Sequence, residues 1–268
     1  MIVITIDGMP YKLAERCLKD TFKVQTMKKI KCNIHRFTNT PKKGQPTLVG
    51  LVCLWTGVNP SKFDKNLMCQ INPKLNQNYP VKLIKKNGDK MDSIFEYFNI
   101  SKLYTTTWGP NPFSNNEIYF KHFTEIPNLE LLPTEENTML YEITKPYDLI
   151  WWHTGITIAG SLRFGPYEQG EHPLINPYRN WRHDKKKKEE VFEFSIRRFK
   201  YLMQCLEKMT NDTIVVSTDH GTFLSDIDQR DLYEIPIIIN KDVDMSKVNF
   251  QWDIKDFLID LKEKENEK

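Results

Sequence analysis

Two kinds of apolar pattern alternate along this chain. Ile2 to Ile6 is an unbroken β-branched run, which predicts a strand buried on both faces. Thr213 to Ser217 and Ile235 to Ile239 predict two more strands, and Lys102 to Thr107 and Asp148 to Trp152 predict a fourth and a fifth. Between them lie stretches with helical spacing. Leu13 to Leu18 is a short one. Leu48 to Trp55 is opened by Gln45-Pro46-Thr47, where Pro46 suits a first turn and Thr47 a cap, and is closed by Gly57 and Pro60. Met91 to Phe98, Thr134 to Ile143 and Trp252 to Leu261 are further helices. Lys185 to Met209 is the longest, with Val191, Phe194, Ile196, Phe199, Leu202, Cys205 and Leu206 near one face.

Strands alternating with helices predict an α/β fold, a central mostly parallel sheet with helices on both faces. The expected organisation is a single domain over residues 1–268, with irregular excursions near 63–80 and 155–182. In such sheets ligands bind beyond the carboxyl ends of the strands. Two predicted strands end there in metal-type residues: Asp7 after the first, and Asp219-His220 after a late one.

Composition narrows the function classes. Hydrophobic residues make up 40% and charged residues 27%, as in ordinary globular proteins. The net charge of +3 gives no footprint for nucleic acid. The run Lys185 to Lys188 has no interleaved aromatics and reads as a solvated helix face, so a nucleic-acid partner is disfavoured. The opening MIVITIDGM has no basic segment or cleavage site, no apolar run reaches the length of a membrane span, and the five cysteines show no CxxC spacing. The expectation is a cytoplasmic protein with reduced thiols and no membrane partner, Cys53 being core.

Asp7, Asp219 and His220 form an O/O/N donor set that suits a divalent metal, Zn²⁺ or Mn²⁺. Thr47 stands at a helix N-terminus, where free N–H groups and the helix dipole favour an anionic oxygen. Taken singly, each residue also has a structural reading: an Asp after a strand forms turns, a Thr after Pro caps helices.

Three segments in order resemble the alkaline phosphatase superfamily, in its type I phosphodiesterase (nucleotide pyrophosphatase) and sulfatase-like branches. VITIDGM (Val3–Met9) is similar to the opening strand with its first metal-ligand Asp. PTLVGLVCLWTGVNPSKF (Pro46–Phe63) is similar to the nucleophile helix, with Thr56-Gly57 and Asn59-Pro60 at its close. TIVVSTDHGT (Thr213–Thr222) is similar to the strand end that supplies an Asp and a His. The resemblance implies a metal held by Asp7, Thr47, Asp219 and His220, with Thr47 also the nucleophile. Two-metal members carry an Asp-x-x-x-His pair before an aromatic-Gly-Pro. Aligning Phe164-Gly165-Pro166 puts Ile158 and Leu162 there, and neither can bind a metal. One metal site is therefore expected. That set resembles the superfamily's phosphoethanolamine and lipoteichoic acid transferases.

The expected activity is hydrolysis or transfer of a phosphate ester, with a phosphodiester or nucleotide as the small phosphorylated substrate. A sulfatase-like hydrolase is one alternative, although sulfatases of the superfamily use a modified Cys or Ser where this chain has Thr47. A degenerate member that binds a nucleotide or protein partner without turnover is another. His153 is expected to follow a strand and to act from the substrate side as a general acid, phosphate donor or substitute ligand. Arg163 is a candidate fork for phosphate oxygens. His172 and Arg179 read as exposed loop residues, and His35, His122 and His183 as structural.

Overall fold

The computed structural model describes residues 1–32, 46–63, 84–105, 119–122, 139–154, 185–221 and 230–267. Among the described residues seven strands form one sheet: β1 (Ile2–Ile6), β2 (Thr26–Lys31), β3 (Ser101–Thr105), β4 (Tyr119–His122), β5 (Leu149–Thr154), β6 (Ile214–Thr218) and β7 (Glu234–Ile239), in the order β2-β7-β6-β1-β5-β3-β4. The pairs from β6 to β4 are parallel. β7 is antiparallel to β6, and β2 is antiparallel to β7, so β2 runs with the others and β7 alone is reversed.

The β-branched run of β1 puts it at the centre, between β5 and β6. Ile2, Ile4 and Ile6 face one core, with Ile150, Trp152, Ile214 and Val216. Helices α1 (Tyr11–Leu18) and α3 (Lys185–Met209) cover that face through Leu13, Cys17, Ile196, Phe199, Leu202 and Leu206. Val3, Leu103, Trp151 and Val215 face the other core, under α2 (Pro46–Thr56) and α5 (Ile254–Asn266). A one-turn helix, α4 (Arg230–Tyr233), leads into β7. This is the α/β arrangement with helices on both faces that the alternation predicts. Burying apolar side chains on both sides of one strand removes them from water at roughly 25 cal/mol per Å², and this locks the register of the central strands.

Several local expectations change. β2 and β4 are strands that the apolar pattern does not predict. β2 reads TMKKIK, with Ile30 its one fully buried residue, a composition that suits a lysine-guarded sheet edge rather than a core strand. The predicted helix Met91 to Phe98 is a 3₁₀ turn, Ile94–Tyr97, in which the Glu96 N–H donates to the Ser93 carbonyl at 3.1 Å and the Glu96 carboxylate accepts the Ser93 N–H at 3.4 Å, and it is too short to continue as an α-helix. The last helix begins as a 3₁₀ turn at Gln251–Asp253. Of the predicted helix over 134–143, residues 139–142 are described and helical. Cys17, Cys32 and Cys53 are buried, as expected of packing cysteines, and Cys205 is half-buried.

Glu142 is buried, and its carboxylate accepts hydrogen bonds from Lys102 Nζ and Lys145 Nζ, each at 2.9 Å. Burial alone would raise its pKa. The bonds from Lys145, Lys102 and Tyr104 outweigh burial and pull it down to about 2 from an ordinary 4.5. A depressed folded-state pKa gives stability that is complete above 4.5 and is lost as the pH falls through about 2. Discounted for solvent screening of the lysine partners, that is worth about 1–2 kcal/mol at neutral pH. Glu142→Gln is therefore expected to be less stable than wild type at pH 7 by roughly that amount, and urea unfolding curves of the two should converge near pH 2. A gap that does not narrow with acid would assign the loss to packing instead.

Candidate metal centre

The centre is built by register. Ile6 lies opposite both Thr154 and Thr218, so the residue after β1 and the residue after β6 leave the sheet at one level. Those residues are Asp7 and Asp219, with His220 next. Their candidate ligand atoms all lie within 4.8 Å of one another. His220 Nε2 stands 3.4 Å from Asp7 Oδ1 and 3.3 Å from Asp219 Oδ2.

Backbone and hydroxyl groups hold this geometry. Gly8, at φ 67, turns the chain so that its N–H donates to Asp219 Oδ1 at 3.0 Å, and the His220 N–H donates to the same oxygen at 3.0 Å. The Thr218 hydroxyl donates to the Ile6 carbonyl at 2.5 Å and accepts from the Met9 N–H at 3.1 Å, which ties the two strand ends together. Asp219 Oδ2 is fully buried and has no hydrogen-bond partner among the described residues. A carboxylate oxygen in that state is costly unless a cation meets it.

The imidazole is oriented to match. His220 Nδ1 is 2.7 Å from the Gly221 carbonyl, which can only accept, so Nδ1 carries the proton and Nε2 faces the carboxylates. Burial lowers the His220 pKa, but the charges of Asp219 and Asp7 outweigh it and push it up to about 10. Burial raises the Asp219 pKa. At Asp7 burial works in the same direction, but His220 overcomes it and holds the carboxyl below its ordinary value. The site is a negative pocket that draws positive charge to a point between two oxygens and one nitrogen. The donor set fits a divalent cation of the Zn²⁺ or Mn²⁺ kind.

Helix α2 is brought against this centre by one glycine. A Cβ built on Gly50 would lie 1.9 Å from the Asp219 carbonyl oxygen and 2.9 Å from its Cα, so only glycine allows the contact. Thr47 precedes Gly50 by three residues, so its Cα lies on the same side of the helix, one turn nearer the N-terminus. Only the backbone of Thr47 is described. An isolated glycine inside the apolar helix PTLVGLVCLW is the kind of signal that marks a close backbone approach, and the sequence reading did not use it.

His153 does not follow β5, which runs on to Thr154; it lies inside the strand, opposite Thr5, and is fully buried. Its Nδ1 is 3.0 Å from the Thr5 hydroxyl, which accepts the Trp151 indole N–H at 3.3 Å. The ring lies close enough to act on the charge of both Asp7 and Asp219. Trp151 packs edge-on against Trp55 in the α2-side core, and Trp152 packs on Phe199 on the opposite side, so both tryptophans fill core rather than wall the site. Arg163, His172, Arg179, Ile158, Leu162, His35 and His183 lie outside the described residues, as does the Phe164-Gly165-Pro166 segment.

No protein-family model matches the sequence, and no curated protein matches it. Solved structures do. A 2-O glycosaminoglycan sulfatase, BT1596, matches at TM-score 0.58 and 12% identity over 98% of this chain and 70% of its own. The C-terminal periplasmic domain of the phosphoethanolamine transferase EptC from Campylobacter jejuni matches at TM-score 0.54 and 12% identity, over 97% and 88%. The C-terminal periplasmic domain of EptC from Escherichia coli, in a complex with zinc, matches at TM-score 0.53 and 12% identity, over 97% and 82%. The chain shares its α/β fold with these proteins and, at TM-score 0.50 and 10% identity over 97% of this chain and 65% of that one, with a Vibrio parahaemolyticus protein of the alkaline phosphatase superfamily. Among the described residues, no helix is long and apolar enough to cross a membrane.

The centre generates a direct expectation. Protein stripped with a chelator and titrated with Zn²⁺ or Mn²⁺ should take up one equivalent tightly, gaining about 2.7 kcal/mol of stability when the free metal is about 100 times its Kd. Asp219→Ala should weaken that uptake by more than the roughly 10–100-fold typical of losing an outer partner. Two tightly bound equivalents would mean that donors beyond Asp7, Asp219 and His220 complete a second site.

Proposed function

We propose that this protein is a metal-dependent enzyme that hydrolyses or transfers a phosphate ester, with a phosphodiester or nucleotide as substrate and Thr47 as nucleophile. The observation that carries the reading is the convergence of Asp7, Asp219 and His220, with the buried Asp219 Oδ2 aimed at the same point as His220 Nε2. Fold alone would not carry it, because structures of this architecture include both a sulfatase and a transferase. A divalent cation bound there, zinc as in the Escherichia coli domain or manganese, would offset charge on phosphoryl oxygens and lower the pKa of a nearby hydroxyl.

The chain's own residues supply the rest. The Gly50 contact brings α2 against the Asp219 backbone, and the first turn of that helix is proposed to offer N–H groups to an anionic oxygen. In the proposed reaction a bond forms from Thr47 Oγ to phosphorus as the bond from phosphorus to the leaving oxygen breaks. Water then cleaves phospho-Thr47 and restores the hydroxyl. Arg163 is proposed to grip the phosphate oxygens as a bidentate fork. His153 is proposed to act from the substrate side as a general acid, phosphate donor or substitute ligand. The Thr5 hydroxyl, which accepts from the Trp151 indole, shares a hydrogen bond with His153 Nδ1 and so holds the ring's orientation.

The test is turnover of a chromogenic phosphodiester beside the matching monoester and sulfate ester. Thr47→Ala should lose at least about a thousandfold in kcat while its stability changes by only about 1 kcal/mol, the value of a lost cap. Near-normal turnover by a folded Thr47→Ala protein would sink the nucleophile assignment, and preference for the sulfate ester would move the reading to a sulfatase. A metal-loaded wild type inert toward all three would favour a binding role without turnover. His153→Gln should lower kcat more than it changes KM.

A further inference from the structure

β6 and β7 are paired only at Val215 with Ile239 and Val216 with Ile238. The Ile214 carbonyl accepts the Asn240 N–H at 3.2 Å, so alternate carbonyls of β6, those of Ile214, Val216 and Thr218, point toward β7. The next rung on this register would set Thr218 opposite Pro236. Proline has no N–H, so the donor that the Thr218 carbonyl would receive does not exist. The ladder opens there, one residue before the metal-site Asp219.

Gln251 fills the gap. It is fully buried, in the 3₁₀ turn that starts the C-terminal helix, and its Nε2 donates to the Thr218 carbonyl at 3.1 Å and to the Asp219 carbonyl at 2.6 Å. Both partners can only accept, so the amide must face them with its NH₂ group. It keeps that orientation although its Oε1 is left buried with no hydrogen-bond partner among the described residues. The turn is itself fixed, because Asp253 Oδ2 accepts the Asn249 and Phe250 N–H groups at 2.9 and 2.8 Å. The Asp219 carbonyl oxygen is also the atom that Gly50 abuts from the other helix of this face. The Asp219 peptide is thus clamped between α2 and the turn before α5.

We propose that Gln251 is a positioning residue for the metal centre: with Pro236 leaving the sheet rung open, its side-chain amide holds the Asp219 backbone so that Oδ2 faces His220 Nε2 and Asp7. The proposal rests on the metal reading of the previous subsections. Outer groups that fix the orientation of ligating carboxylates typically govern metal affinity by about 10–100-fold.

The experiment measures Zn²⁺ affinity by competition with a chromogenic chelator for the full chain, Gln251→Met, Gln251→Glu, Leu261→Ala and Asp219→Ala. Methionine keeps length and removes both donors. Glutamate keeps shape and sets an oxygen against the two carbonyls, which serves if the methionine variant does not fold. Leu261 lies in the same C-terminal helix and in the core, and reports what general destabilisation does. The expected result is a Kd raised about tenfold or more in either Gln251 variant and unchanged in Leu261→Ala. Wild-type affinity in a folded Gln251 variant overturns the proposal, and so does an equal loss in Leu261→Ala. A wild type that binds no Zn²⁺, or an Asp219→Ala protein that binds it as tightly as wild type, overturns the metal reading and this proposal with it. The two failures are thereby distinguished.

Discussion

Two carboxylates converge beside one imidazole, and one of them, Asp219, has an oxygen that is wholly buried and meets no hydrogen-bond donor among the described residues. Such a pair cannot stay charged in a low-dielectric setting unless positive charge stands between them. The protein does not relieve this constraint by moving the groups apart. It spends the Gly8 and His220 N–H groups on the other oxygen of Asp219 and turns the His220 ring with the Gly221 carbonyl. Both choices leave the facing atoms available to a cation. The neighbouring features of the carboxyl edge follow from keeping that arrangement in place.

The central register is the first consequence. Thr218 bonds to Ile6 across β6 and β1, so the strand ends that carry Asp7 and Asp219 are tied together. The second is the glycine at position 50, which lets a helix approach the Asp219 backbone at a distance no other residue permits. That approach brings α2 against the backbone of Asp219. The third is the break in the sheet at Pro236, whose missing donor is replaced by a side chain from a distant turn. The second and third devices act on the backbone of Asp219 rather than on its carboxylate, which leaves Oδ2 facing His220 Nε2.

Likeness to a sulfatase and a transferase at about one residue in eight identical fits this division. The sheet and its two helical layers set where a site can be, and the residues on the strand ends set what it does. The weight of the functional reading therefore falls on Asp7, Asp219, His220 and the place of Thr47.

Much of the fold is legible in the sequence because burial on both faces writes itself as an unbroken apolar run. β1 and β6 are predicted within a residue at each end, and the long helix from Lys185 to Met209 keeps its predicted bounds, because apolar spacing reports which side of a helix leaves water. Edge strands escape this reading, since the lysines of β2 serve solubility and carry no core pattern. The motif residues Asp7 and Asp219-His220 are visible as residue types at strand ends. Their convergence is not, because it depends on the Ile6 to Thr218 register between segments more than 200 residues apart. The same limit hides His153, which lies inside β5 rather than beyond it, and hides Gln251, whose partner is a proline's missing N–H fifteen residues upstream. The sequence by itself determined the strands, the helices and the chemical types available at their ends. Only the tertiary structure decided which of those groups meet, because hydrogen bonds across a sheet and close helix approach join residues with no local signal of one another.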